Sequence, residues 1–306
     1  MKRRSFLSVP AARALAGFAG APFPIIDTHI HLFDVTRPQG VPWPAKDSPI
    51  YRSALPERFR AVAAPLGVTG AIAVECSPWV EDNQWVLDVA ANAPIIAGTV
   101  GNLEPDNPGF RQQLERFSKN PLFRGIRYGN LWGRKLAGAL ERPAFIAGVK
   151  ALAAAGLALD TANLTPELIA AVLRLTDRVP ELRVILDHLA RFVLPAEAAA
   201  RAACRANLKE LAARPRVWAK VSGVLRRIGD KVPVDLAAYR GTLDEIWETF
   251  GPDRVLYGSD WPNSDLWGDY AAGFRIVREY FARKGRAAEE KYFWKNSVDA
   301  YQWVKR

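Results

Sequence analysis

From residue 25 onward, short runs rich in Val and Ile alternate with longer stretches whose apolar residues return every three or four positions. The short runs predict eight strands. They are IIDTHIHL (25–32), VTGAIAVE (68–75), IIAGTVGN (95–102), FRGIRY (123–128), GLALDTA (156–162), RVILDHL (183–189), VWAKVSG (217–223) and RVLYGSD (254–260). Between most of them lie segments such as QWVLDVAANA, GFRQQLERFS, PAFIAGVKALAAA and PELIAAVLRLTDRV, whose i, i+3, i+4, i+7 spacing predicts amphipathic helices. Strand starts recur roughly every 30 residues, the length of a βαβ unit. Such alternation implies a parallel sheet, and eight units fit an α/β fold of the closed (β/α)8 TIM barrel type better than an open doubly wound sheet. Neither GxGxxG nor a Walker pattern follows any strand, which weakens a nucleotide-binding reading.

The longest gap separates the first two strands, from Leu32 to Val68. It contains the Pro-rich RPQGVPWPAKDSPIY, with Trp43 and Tyr51. Following strand one, this loop is expected over the C-terminal mouth as a lid or substrate wall, with an ordered surface loop as the alternative.

Strand one carries the first chemical signal. Strict alternation puts Asp27, His29 and His31 on one side, and Ile26, Ile30 and Leu32 on the other. The apolar side can pack on helices, so the polar side should face inward and reach the barrel mouth. Two imidazoles two residues apart can grip one metal ion or one substrate. The chain has only three histidines, and the third, His188, ends strand six. Asp260 ends strand eight, where it is either part of the same site or an N-cap. Three imidazoles and one carboxylate converging on one cavity make a water-activating site.

Bulk properties narrow the picture further. The 306 residues suit one large barrel and can bury a sizeable core. Two cysteines, Cys76 and Cys204, stand far apart without a CxxC pair, which excludes a zinc-thiolate cluster or a disulfide framework. The net charge of +10 comes from scattered basic residues rather than a stripe, so nucleic acid is not an expected partner. No apolar run reaches the length of a membrane span. At the N-terminus, MKRRSFL followed by AARALAGFAGA reads as a twin-arginine export signal over residues 1–22, with a disordered basic tail as the alternative. A periplasmic or exported protein is expected, with the cytoplasm as the alternative; residues 23–306 form the single barrel domain.

DTHIH on strand one, the strand-six His and SDWP on strand eight resemble the amidohydrolase superfamily, a metal-dependent-hydrolase fold. The chain is most similar to the amidohydrolase-related branch that holds sugar and pyrone-dicarboxylate lactonases. GTVGNLEP and FRGIRYGN resemble that branch's third and fourth strand segments. The resemblance implies hydrolysis of a lactone to its hydroxy acid, with Asp260 as the base that activates water. It implies that His29, His31 and His188 hold the carbonyl or a metal. Strand four offers Arg127 and strand five Asp160 but no His, so a binuclear site lacks ligands. Either no metal is required, or a single zinc sits on His29, His31, His188 and Asp260. Arg127 suits a carbonyl or carboxylate anchor, or a structural ion pair. Glu75 and Tyr51 are candidate substrate contacts, and Trp132 and Lys220 either line the pocket or pack. The partner is a small molecule; the oligomeric state is not legible. A metal-dependent decarboxylase and a non-catalytic sugar-acid binding protein are the alternatives.

Overall fold

The computed structural model describes residues 23–303 and Lys305; the export signal expected at 1–22 lies outside the described residues. Eight strands follow one another as β1 (Ile26–Ile30), β2 (Gly70–Val74), β3 (Ile96–Gly101), β4 (Phe123–Arg127), β5 (Ala158–Asp160), β6 (Arg183–Leu186), β7 (Val217–Ser222) and β8 (Val255–Gly258). Each pairs with the next in parallel, in sequence order. The last strand meets the first at the mouth: Asp260 N–H donates to His29 O at 2.9 Å, and His31 N–H donates to Trp261 O at 2.8 Å. The fold is a (β/α)8 TIM barrel. The bonds that bring its ends together run through three of the residues singled out in the sequence.

Strand alternation sorts side chains into two populations. On β2, Ala71 and Ala73 pack outward under helices, while Ile72 and Val74 face the barrel axis. On β7, Val217, Ala219 and Val221 face outward, and Trp218, Lys220 and Ser222 alternate with them on the inner face. The predicted helices form at Glu81–Ala91, Phe110–Ser118, Pro143–Ala154 and Pro166–Arg178. The last of these starts where its sequence says it should. Pro166 needs no N–H at the first helical position, and Thr165 Oγ1 caps Leu168 N–H at 3.2 Å. No helix of the described residues is long and apolar enough to cross a membrane.

Strict alternation fails on β1. A register shift between Asp27 and Ile30 places Ile26 with the inner apolar cluster, while Asp27 bonds Tyr270 from the outer helix Tyr270–Ala282. Asp27 Oδ1 also accepts from Ser259 N–H and His29 N–H. The polar side expected of Asp27, His29 and His31 therefore splits: Asp27 anchors the strand, and the shift turns His29 inward.

The gap after β1 is partly helical, at Pro56–Ala63. Its remaining loop is strapped to the barrel. Phe33 and Ala54 exchange backbone hydrogen bonds, Asp34 accepts from Ser53 Oγ at 2.6 Å, and Arg37 pairs with Asp82 at 2.6 Å. So fastened, the loop is a wall rather than a free lid, and Trp43 is its contribution to the mouth.

Candidate functional site

A cavity of about 500 Å³ opens at the C-terminal ends of the strands. His31, Trp43, Arg127, Trp132, Asn163, Asp187, His188, Arg191, Asp260 and Asn263 are among its lining residues. His31 lies one residue beyond β1, and His188 and Asp260 lie two beyond β6 and β8. Trp132, Asn163, His188 and Asp260 all take left-handed backbone, with φ of 57°, 55°, 57° and 64°. Non-glycine residues avoid this region, so the loops are held there against a local cost of order 1 kcal/mol each. That cost aims four side chains into one cavity.

Asp260 is the centre of the arrangement and is fully buried. Its two oxygens face different surroundings. Oδ2 accepts from Arg191 Nη1 at 2.9 Å and from Asn263 Nδ2 at 2.8 Å. Oδ1 faces the Nε2 atoms of His31, His188 and His29 at 3.3, 3.7 and 3.8 Å. One oxygen is clamped; the other is presented to the imidazoles. Burial would raise this carboxyl, but the neighbouring His188, His31 and His29 rings outweigh it and hold it well below the usual carboxylate range.

The imidazoles are oriented from behind. His31 Nδ1 lies 2.9 Å from Val74 O, an acceptor, so the ring carries its proton there. His188 Nδ1 lies 2.8 Å from Ser222 Oγ. Burial pushes His188 down to about 4, against the pull of Asp260 and Asp187. Burial likewise drives His29 well below the usual imidazole range, despite Asp187 nearby. Both rings are neutral at ordinary pH. Gly258 makes the crowding feasible: a Cβ there would stand 2.9 Å from His29 Cβ and 3.0 Å from Ser222 Cβ.

A family model described as amidohydrolase matches residues 26–303, nearly the whole described chain. The chain belongs to the amidohydrolase family. This amidohydrolase is 32% identical over 258 residues to an L-fucono-1,5-lactonase of Burkholderia ambifaria, covering 81% of this chain and 84% of that protein. It is 27% identical over 289 residues to an L-fucono-1,5-lactonase of Burkholderia multivorans, covering 88% and 92%. Among solved structures, an amidohydrolase from Burkholderia multivorans with bound zinc superposes with a TM-score of 0.80 at 24% identity. That match covers 92% of this chain and all of that one, and establishes the shared fold.

In the amidohydrolase, one ligand atom each from His29, His188 and Asp260 lies within 4.8 Å of the others, a group able to hold one divalent cation. His29 Nε2 and Asp260 Oδ1 are buried without a hydrogen-bond partner, which fits such an ion. His31, expected as a fourth ligand, is not in this group; its Nε2 approaches Asp260 alone. His29 fits only with its proton on Nδ1, where Asp187 Oδ1 lies 3.5 Å away.

The other sequence candidates divide. Arg127 lines the cavity and is itself braced: Nε donates to Glu75 Oε1 at 2.9 Å, and Nη2 to Glu75 O at 2.6 Å. Trp132 lines it too, its indole N–H donating to Glu75 Oε2 at 3.1 Å. Glu75 thus stands behind both side chains. It lies outside the cavity lining, both carboxylate oxygens spent on positioning Arg127, Trp132 and Ser77 N–H. Tyr51 is also outside the lining and only partly buried, because the strapped loop brings Trp43 rather than Tyr51 inward. Lys220 does not line the cavity but lies beneath it, fully buried.

Sequence reasoning missed Asp187, Arg191 and Asn263. Asp187 precedes His188, Arg191 follows it by three residues, and Asn263 follows Asp260 by three. Proximity to the strand-end motifs was the available signal.

Proposed function

We propose that this amidohydrolase opens a neutral, sugar-derived lactone to its hydroxy acid, with Asp260 as the proton acceptor from the attacking water. The observation that carries this reading is the division of labour on Asp260: Oδ2 locked by Arg191 and Asn263, Oδ1 free to face a water in the cavity. Water adds to the carbonyl carbon while its proton passes to Oδ1. The developing oxyanion takes N–H donors, for which Arg127 Nη1 is in place. The tetrahedral adduct then collapses, the ring C–O bond breaks, and the proton on Asp260 moves to the departing ring oxygen. A divalent cation held by His29, His188 and Asp260 would polarise the carbonyl and acidify the water.

The lactonase names of the two curated relatives support the cyclic ester. Charge supports its neutrality. The cavity wall holds two arginines and two aspartates, paired as Arg191 with Asp260 and Arg127 facing Asp187 at 3.8 Å. Among the described residues, no spare cation on this wall waits for a substrate carboxylate, which disfavours dicarboxylate lactones and the decarboxylation of an aromatic acid. Trp43 and Trp132 offer flat faces for sugar C–H surfaces, and Asn163, Thr165 and Asn263 offer partners for hydroxyls.

Acid release in a pH-stat, from neutral 1,5-aldonolactones and from carboxylate-bearing lactones, tests the proposal. The neutral set is expected to lead in kcat/KM by roughly 100-fold. No acid from any neutral lactone would overturn it.

A further inference from the structure

A second group of ligand atoms lies beneath the cavity. His29, Asp160 and Asp187 each bring one atom within 4.8 Å of the others, all three residues fully buried. Lys220 Nζ stands among the same three side chains: 2.7 Å from Asp160 Oδ2, 2.8 Å from Asp187 Oδ1 and 3.2 Å from His29 Nδ1. An ammonium has three N–H donors and no acceptor. Two of them are directed at Asp160 Oδ2 and His29 Nδ1, Asp187 is met as an ion pair, and the charge also lies 5.4 Å from the centre of the Tyr301 ring.

We propose that Lys220 is a built-in cation in a second cation position, keeping a metal ion out of it and holding His29 as the Nε2–H tautomer. Two consequences follow from the contacts. Lys220 Nζ fills the space between Asp160 and Asp187 as their counter-ion, so the lower group cannot take a divalent ion while the ammonium is in place. An ammonium proton donated to His29 Nδ1 needs a lone pair there, so the ring proton of neutral His29 sits on Nε2, aimed toward Asp260 and the cavity. His29 then serves as a hydrogen-bond donor. It becomes a metal ligand only when Nδ1 leaves Lys220 and donates to Asp187 Oδ1. Lys220 thus acts on the upper cation site as well, as a positioning residue that competes with metal for His29. The inference concerns the resting protein and holds for any substrate.

Zinc uptake by the full chain, measured as metal content after equilibration with Zn2+, reads this directly. The native protein is expected to take up no more than about one zinc per chain. Lys220→Met keeps most of the apolar stem and removes the charge, and is expected to take up about two, His29 releasing its ring proton so that Nδ1 serves the lower ion and Nε2 the upper. Zinc affinity at the upper site should rise at least about tenfold, as expected when the partner of a ligand changes. Adding Asp160→Asn to Lys220→Met should return uptake to about one. A folded Lys220→Met protein with native zinc uptake would overturn the proposal.

The tautomer can be read without any substitution. With only three histidines in the chain, 15N-histidine spectra of the metal-free native protein should show His29 protonated at Nε2 and bare at Nδ1. A proton on His29 Nδ1 would overturn the proposal even if Lys220→Met fails to fold.

Discussion

The inside of this barrel has two floors built from the same strands. The lower is apolar: Ile26, Ile72, Val100, Ala158, Ile185, Trp218 and Leu256 pack together. The upper is ionic: Asp160, Asp187, Lys220 and His29, all with no exposed surface. One step of two residues separates them, from Ala158 to Asp160 on β5, from Ile185 to Asp187 at β6, from Trp218 to Lys220 on β7. The floors are tied together by Tyr301, whose ring joins the lower cluster while its hydroxyl donates to Asp160 Oδ2 at 2.7 Å.

The difference teaches where stability and chemistry reside. Desolvating buried ions costs several kcal/mol each unless partners recover it, so the upper floor is a weak source of stability and a strong source of fixed geometry. Burial raises Asp160 against the pull of Lys220, while Lys220 and His29 overcome burial to hold Asp187 well below the usual carboxylate range. The lower floor supplies the packing that makes such an assembly affordable. Substitutions on the two floors should therefore separate stability from activity.

The largest stability effect should come from the lower floor. Ile72→Ala, at a fully buried position on β2, is expected to cost about 2–5 kcal/mol in urea unfolding and to leave kcat within a few-fold. Equal losses of activity and stability would break the distinction. Above the floors, Arg191→Met frees Asp260 Oδ2 and should lower kcat by roughly 10–100-fold with little change in stability. A rate like the native one would show that the clamp is idle.

The pH profile sharpens the same contrast. His188 is pushed down to about 4, so it stays neutral as pH falls through the ordinary imidazole range. Below about pH 4 it gains a proton beside Asp260, and kcat/KM should drop. The profile is therefore expected to be level from about pH 6 to 8, with its acid limb near pH 4 to 5. An acid limb near 6.5 would mean that His188 is not desolvated in solution. The smallest effect should be at the junction: Tyr301→Phe removes one hydrogen bond to Asp160 and should cost about 1 kcal/mol, read by chemical denaturation.

The apolar periodicity made the barrel legible, since eight strands and four of the helices follow from spacing alone. His29, His31, His188 and Asp260 were legible because polar groups at the ends of otherwise apolar strands have nowhere to point but the mouth. What stayed hidden depends on three-dimensional detail. The register shift on β1 reverses Asp27 relative to His29, and no alternation rule reveals it. Tyr51 and Trp43 share one loop, and only its path decides which reaches the cavity. Lys220 was visible as a charge inside the apolar VWAKVSG, a conflict that only paired carboxylates on neighbouring strands resolve.

The most direct test of Asp260 as the water-activating base is a paired measurement on Asp260→Asn with a neutral 1,5-aldonolactone: acid release, and affinity for the hydroxy-acid product by calorimetry. Loss of kcat by about 100-fold to 10,000-fold with product affinity nearly unchanged is the predicted result. Turnover within tenfold of native would contradict it, and the proton acceptor would have to be sought elsewhere on the cavity wall.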